Sequence, residues 1–192
     1  MAKIGLKYFR YSILTENQDG THSYNGAKTP GKAISCSVSV TSNSAKLRAD
    51  DEDAEVCTDF SGGSVSAGID RDDLQTQADL LGHTLTDGKL VRNANDAAPY
   101  VGFARIITLL RDGVKKFKTE ILYKVKFAEP NQEDQTKQES ISFTTSTLEG
   151  QLGTLANGDW SDAKIWDDYD DAMDYITETF AAPASAGHAS NP

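Results

Sequence analysis

The stretch YVGFARIITLLRDGVKKFKTEILYKVKF, residues 100–127, holds two alternating runs on either side of Asp112-Gly113. An Asp-Gly pair supplies the positive φ angles of a tight hairpin turn, and a period of two is typical of β-strands. The stretch therefore predicts an antiparallel hairpin with strands near 100–111 and 114–128. The first strand is apolar on nearly both faces. It must be covered twice, by the core and by either the helix or another subunit.

Alternation in the second strand predicts one apolar face and one mainly basic face. The apolar face holds Phe117, Thr119, Ile121, Tyr123, Val125 and Phe127, and the other holds Lys116, Lys118, Glu120, Leu122, Lys124 and Lys126. Nucleic-acid-binding strands usually add exposed aromatic residues or arginines to a basic face, and here the aromatic residues point the other way. We interpret the lysines as the outer face of a strand, where they discourage random edge pairing and can meet the acids of a neighbour.

Further strands are predicted by alternation and by turn dipeptides such as Asp87-Gly88 and Asn157-Gly158. These strands lie near residues 4–14, 34–40, 64–70 and 139–148. One helix interrupts them: Asp72 or Asp73 is placed to cap its start, and Gly82 suits its end. The predicted fold is mainly β, an antiparallel β-sandwich or open barrel with one flanking α-helix.

The negative charge of the chain is concentrated in two segments. The net charge is -10, whereas residues 50–59 hold six acids without a base and residues 159–178 hold eight acids against Lys164. The remainder is slightly positive, so the chain has no general attraction for nucleic acid. We divide the chain into a β-sandwich domain (1–158), an acidic segment with a possible helix near 163–180 (159–180), and a disordered tail (181–192).

Residue patterns that would indicate catalysis or metal binding are not found in the sequence. His22, His83 and His188 have no partner at ligand spacing, and we interpret them as surface histidines. Cys36 and Cys57 are read as two free thiols. The acidic run at 50–59 departs from the EF-hand pattern and is predicted to be a solvated loop. We expect no enzyme activity, no metal and no cofactor. The N-terminus does not resemble a secretory signal, which favours a cytoplasmic origin.

Three segments, in this order and spacing, resemble the major tail tube proteins of long-tailed phages with non-contractile tails. They are AISCSVSVTSNSAKLRADDEDAEV (33–56), GGSVSAGIDRDDLQTQADLLGHTLTDGKLVRNANDAAPYVGFARI (62–106) and LYKVKFAEPNQEDQTKQESISFTTSTLEG (122–150). The first is similar to the serine-rich strand of that family, the second to its strand, helix and Leu-Gly turn, and the third to its Leu-Tyr strand and closing Thr-rich strand. The acidic segment 159–178 matches no part of the pattern.

The resemblance implies a structural role and a set of partners. In that family, six copies form a ring whose inner sheets join into a continuous barrel, and rings stack into a tube through which DNA is ejected. Expected partners are further copies of the chain, a tape measure protein, and tail terminator and tail tip proteins. DNA would pass through the lumen without specific binding. The expected location is the virion tail, and the host cytoplasm during assembly, with no membrane.

The residues expected to serve assembly fall into two sets. Candidate contacts between rings or subunits are Asp50, Asp51, Glu52, Asp53, Glu55, Lys116, Lys118, Lys124 and Lys126. Candidate core or interface residues are Phe103, Ile107, Leu109, Phe117, Ile121, Tyr123 and Phe127. A monomeric virion decoration protein, or a module that binds a receptor or carbohydrate, remains the alternative. That role would require exposed coplanar aromatic rings, for which Trp160 and Trp166 are the available tryptophans.

Overall fold

A computed structural model describes residues 1–49, 52–71, 73–130 and 145–181. Within these ranges the chain has ten strands and two helices. The strands are β1 (Ala2–Glu16), β2 (His22–Tyr24), β3 (Ala33–Ala49), β4 (Glu52–Ile69), β5 (Thr84–Thr86), β6 (Lys89–Val91), β7 (Tyr100–Arg111), β8 (Val114–Phe127), β9 (Ser146–Leu152) and β10 (Ser161–Trp166). The helices are α1 (Leu74–Leu81) and α2 (Tyr169–Thr179). The predicted antiparallel β-sandwich with a flanking helix is confirmed.

The hairpin predicted around Asp112-Gly113 forms as β7 and β8. Both turn residues have positive φ, 51° at Asp112 and 80° at Gly113, as a two-residue turn requires. The two strands pair antiparallel from Arg111 and Val114 to Tyr100 and Lys126. They form the centre of the sheet, whose order is β2-β1-β7-β8-β9-β4-β3, with β10 also paired to β8.

The sheet curls so that its two halves enclose an inner core. Residues of β1, β4, β7, β8 and β9 pack together there, including Phe9, Val65, Phe103 and Leu122. Helix α1 closes this core with Leu80 and Leu81. The predicted cap positions are confirmed: the Asp73 side chain accepts a hydrogen bond from the Gln75 backbone nitrogen, and Gly82 ends the helix with φ 77°. Asp72 lies outside the described residues.

Helix α2 supplies the second cover that β7 requires. Ala172, Ile176 and Phe180 are fully buried against Ala104 and Ile106 of β7, on the face opposite the inner core. This outer core also explains why β7 is apolar on both faces. The helix predicted near 163–180 begins later, at Tyr169, because residues 161–166 form β10 and pair with β8. The acidic segment is therefore part of the sheet, and residues 182–192 lie outside the described part of the chain.

The prediction that β8 keeps one apolar face along its whole length is wrong. Phe117, Ile121 and Tyr123 pack in the outer core, whereas Leu122, Val125 and Phe127 pack in the inner one. The register of β7 and β8 shifts between the pairs Val101–Val125 and Phe103–Leu122, which places one extra β8 residue opposite Gly102. This bulge reverses the alternation, so the side chains after Tyr123 change faces.

Residues 52–59 are not the solvated loop that their charge predicted. They belong to β4, which pairs with β3 from Ile69 back to Glu52. The pairing of β4 with its other neighbour, β9, stops at Gly63. Beyond that point β3 and β4 continue together as a two-stranded hairpin. We call its described part, residues 41–49 and 52–62, the hairpin arm.

Candidate functional site: assembly surfaces

The sheet has two strand edges with few hydrogen bonds to other strands. β3 is the last strand of the sheet, so along its length it pairs only with β4. At the opposite end, β1 pairs on its outer side with the short β2 through residues 14–16 and with Lys28 through Tyr11. Among the described residues, the outer edge of β1 before Arg10 has no ladder partner. Such edges present backbone N–H and C=O groups that can pair with another chain.

The two edges approach each other near the beginning of β3. Leu6 of β1 packs with Ala33, Cys36 and Val38 of β3 against the inner core, yet no strand pairing joins β1 to β3. The sheet is therefore an open barrel with a seam between these strands. A cleft of about 320 Å³ lies at the seam, where Leu6, Phe9 and Ala33 provide apolar lining and Lys7, Arg10 and Lys32 provide charge.

The hairpin arm begins at a glycine pair. Between Thr41–Gly62 and Ser42–Phe60 the register shifts, which makes Ser61 an extra residue of β4. Gly62 has φ 121°, a conformation that side-chain-bearing residues rarely adopt, and a Cβ on Gly63 would lie 2.4 Å from the Ser39 carbonyl oxygen. The two glycines therefore permit the bulge at the base of the arm, which is where β9 stops supporting it.

The predicted acidic contact residues belong to the end of this arm. Asp50 and Asp51 lie outside the described residues. Glu52, Asp53 and Glu55 have their backbone in β4, and their side chains lie outside the described part of the chain. What the structure adds is their position. They lie at the far end of a strand pair and well beyond the packed body of the sheet.

The predicted lysine contacts are mostly occupied within the chain. Lys116 pairs with Asp167 at 2.5 Å, Lys118 lies 4.0 Å from Glu120, and Lys124 pairs with Glu16 at 2.5 Å. The Lys126 ammonium lies 5.5 Å from the centre of the Tyr100 ring. Asp167, an acid of the segment 159–178, thus pairs with a lysine of β8 within a single molecule.

The predicted core and interface residues are divided between the two cores. Phe103 and Phe127 pack in the inner core, whereas Phe117, Ile121 and Tyr123 pack in the outer core against α2. Ile107 and Leu109 are each 5% exposed, and Ile107 lines a cavity beside the seam.

A buried ion pair lies between β7 and β8 on the inner side of the sheet. Arg105 donates two hydrogen bonds to one carboxylate oxygen of Glu120, at 3.1 and 2.7 Å. Cys36 of β3 lies close to this pair. Burial raises the pKa of the Cys36 thiol, and the nearby Arg105 guanidinium opposes the rise only in part. The thiol is thus held in its unreactive protonated form.

His83 is not the surface histidine that its sequence context predicted. Its side chain is 5% exposed and lies between the carboxylates of Asp96, at 2.7 Å, and Glu129. The hydrogen bond from His83 and a second from the Asn93 backbone nitrogen lower the pKa of Asp96 below its ordinary value. These three side chains tie the segment after α1 to the end of β8. Alternation and motif searches missed this cluster because its members are distant in sequence.

The tryptophans do not form a pair of exposed coplanar rings. Trp160 stacks on Phe60 at the base of the hairpin arm, with ring centres 4.9 Å apart and planes 9° apart. Trp166 packs beside Tyr175, and its indole nitrogen donates to the Thr119 hydroxyl. Each indole is therefore engaged within the chain.

Comparison with known proteins does not assign the chain to a family. No protein-family model matches it, and no curated protein is significantly similar to it. In the part of the chain that the structure describes, no group of His, Cys, Asp and Glu side chains is arranged to hold a metal ion. None of the helices within the described ranges has the length and apolar character needed to cross a membrane.

Proposed function

We propose that this chain is a structural, non-enzymatic subunit of a phage tail tube, in which hexameric rings stack into a hollow tube that conducts DNA. The hairpin arm is the observation that carries the proposal. An isolated two-stranded hairpin is marginally stable in water, so an arm that leaves the body of the sheet is best explained by a partner that covers it.

The open edges of β1 and β3 support a repeating contact between copies. They lie on different strands at opposite ends of the sheet order. A contact that joins the β3 edge of one copy to the β1 edge of the next is heterologous, and such contacts generate rings when the rotation closes. Ring closure would pair both edges and remove the aggregation hazard of a monomer with exposed strands.

The charge distribution supports the passage of DNA without specific binding. Three of the five lysines of β8, Lys116, Lys118 and Lys124, are paired with carboxylates of the same chain, so fewer cations of this strand are free to bind phosphate. Binding of nucleic acid depends on such free cations. The proposed protein partners are further copies of the chain, a tape measure protein, and terminator and tip proteins at the ends of the tube.

Negative-stain microscopy and sedimentation velocity of the purified chain test the proposal. We expect rings or tubes of uniform width above a threshold protein concentration. Purified chain that stays monomeric across a range of concentration and salt would argue against a tube subunit. Reversal of Asp53 and Glu55 to lysine should disrupt assembly. The matched control reverses Asp174 and Glu178, which are exposed acids of α2. Equal assembly of the two double variants would remove the arm from the proposed contact.

A further inference from the structure

The cleft at the seam between β1 and β3 combines an apolar floor with unpaired positive charge. Lys7, Arg10 and Lys32 line it, and within the described residues no carboxylate forms an ion pair with any of the three. This differs from β8, where three of the five lysines form ion pairs with carboxylates. The cleft is thus a region of available positive charge on a chain whose net charge is -10.

A bulge in β1 turns the cations of this cleft outward. The register of β1 and β7 shifts between Lys7 and Arg10, and Tyr8 has φ 60°. The Arg10 guanidinium lies 3.7 Å from the centre of the Tyr8 ring, and the Lys7 ammonium lies 5.7 Å from the centre of the Tyr169 ring. A bulky residue at positive φ has a strained backbone. Here the strained backbone presents two cations beside an open strand edge.

The opposite wall of the cleft adds charge of the same sign. Lys32 is exposed, and the neighbouring Arg71 lies close enough that a Cβ on Gly31 would contact its side chain at 3.4 Å. Asp70 also lies at this wall, where its carboxylate accepts a hydrogen bond from the Lys32 backbone nitrogen at 2.7 Å. Among the described residues that line the cleft, the charged side chains are all cations, those of Lys7, Arg10 and Lys32. Its occupant is therefore expected to be acidic.

We infer that the seam cleft receives the acidic end of the hairpin arm of a second copy. The arm is extended, and beyond the Phe60–Trp160 stack at its base its described strands pair only with each other. The sequence at its end holds Asp50, Asp51, Glu52, Asp53 and Glu55. The carboxylates of the arm end would meet the cations at the rim of the cleft, a contact between side chains that leaves the β1 backbone free for pairing within the ring. The inference rests on the proposed function, and it names the receiving surface for the arm.

The arm end cannot fill the cleft of its own molecule. The cleft lies at Lys32 and Ala33, where β3 begins, and the arm continues along β3 to Ala49. At about 3.3 Å per residue, these points are about 50 Å apart. Donor and receiver therefore lie at opposite ends of one hairpin. A contact between two different patches adds copies in one direction, as a stack of rings requires.

Cysteine cross-linking in the full-length chain tests the contact without requiring tubes. Cys36 and Cys57, the two native cysteines, are both replaced by serine so that only the introduced thiols can react. One variant then has Lys32→Cys and the other has Asp53→Cys. A short bis-maleimide should link the two variants to each other when they are mixed. The matched control variant has Lys89→Cys instead of Lys32→Cys. Lys89 is an exposed lysine of β6 that does not line the cleft, so its mixture with Asp53→Cys should give only background.

Charge reversal supplies the second arm of the test. Lys7→Glu with Lys32→Glu should weaken self-association, measured by sedimentation velocity, by about tenfold or more, because each reversal places like charges together. Mixing this variant with Asp53→Lys and Glu55→Lys should restore association, since the reversed cleft then meets a reversed arm. Loss without rescue, combined with absent cross-linking, overturns the inference.

The outcomes separate this inference from the proposed function. Tubes that assemble without the cross-link, and that are unaffected by reversal of the cleft, overturn the receiving surface while leaving the tube role intact. A cross-linked, charge-rescued dimer that never forms tubes supports the contact and contradicts the tube role. Absence of both tubes and cross-link contradicts both.

Discussion

At the scale of single residues, Gly102 shows how the two faces of β7 are fitted. A Cβ at this position would lie 2.6 Å from ring atoms of both Phe180 and Tyr24. Both rings belong to the outer core, and the β8 bulge lies directly opposite. Because Gly102 has no side chain, the ring of Phe180, which follows α2, can pack against the backbone at this position. Interiors are packed so closely that one added methyl group is felt.

Gly102→Ala is predicted to destabilise the fold by about 1–3 kcal/mol, because the aromatic rings must move to admit the methyl group. Denaturant unfolding followed by tryptophan fluorescence measures the change. Gly5→Ala is the matched control, since Gly5 of β1 pairs with β7 and its added Cβ would meet Thr108 at an ordinary 3.4 Å. A loss no greater than that of the control would contradict the packing argument.

At the scale of elements, α2 is the cover without which β7 and β8 would expose an apolar face. The side chains of Ala172 and Ile176 in the helix, and of Phe180 directly after it, are each fully buried. Its other side is acidic, and Asp168 caps its start by accepting from the Asp170 backbone nitrogen. The helix therefore belongs to the structural body of the molecule, and its stability depends on the outer core more than on its own short length.

Ile176→Ala is predicted to lower the free energy of unfolding by about 2–5 kcal/mol, the usual result of a cavity beneath a buried aliphatic side chain. Calorimetry measures the loss. Glu178→Ala is the control, because Glu178 lies on the exposed side of the same helix and should change stability little. Equal free energies of unfolding for the two variants would mean that α2 is not a cooperative part of the fold.

The local sequence pattern predicted elements better than it predicted their faces. Asp112-Gly113 specifies its turn through local backbone angles, so the β7 and β8 hairpin could be predicted from the residues alone. The bulge near Tyr123 could not, because an extra residue becomes visible only when the partner strand is known. The acids of 52–59 suggested a loop because their charge obscured a strand whose support comes from β3. The pairing of Lys116 with Asp167 depends on the pairing of β10 with β8, which places Trp166 opposite Phe117 and which no local pattern contains.

At the scale of the whole molecule, the fold has a body supported on many sides and an arm supported by one strand pair. β7 has a strand on each side and a core on each face. The arm residues of β3 and β4 pair only with each other. Local unfolding follows such differences in support, and it can be measured by amide hydrogen exchange.

Amides of the hairpin arm, residues 41–49 and 52–62, are predicted to exchange much faster than those of β7 in the monomer. Mass spectrometry of exchanged peptides at low protein concentration measures the difference, and the 63–69 part of β4 serves as an internal control because β9 supports it. Equal protection of the arm and the body in the monomer would mean that the arm has support within its own chain.

The bulge at Ser61 and Gly62 gives the arm a mechanical property. From Ser42 to Ala49 the arm extends about 25 Å at 3.3 Å per residue. A pivot of about 10° at its base would therefore move its end by about 4 Å. If another copy binds the end of the arm, a tilt between the two copies requires only a small backbone rotation at Gly62 and Gly63. An assembly joined by such arms would bend through rotation at the arm bases, and the contacts between copies would be kept while its axis curved.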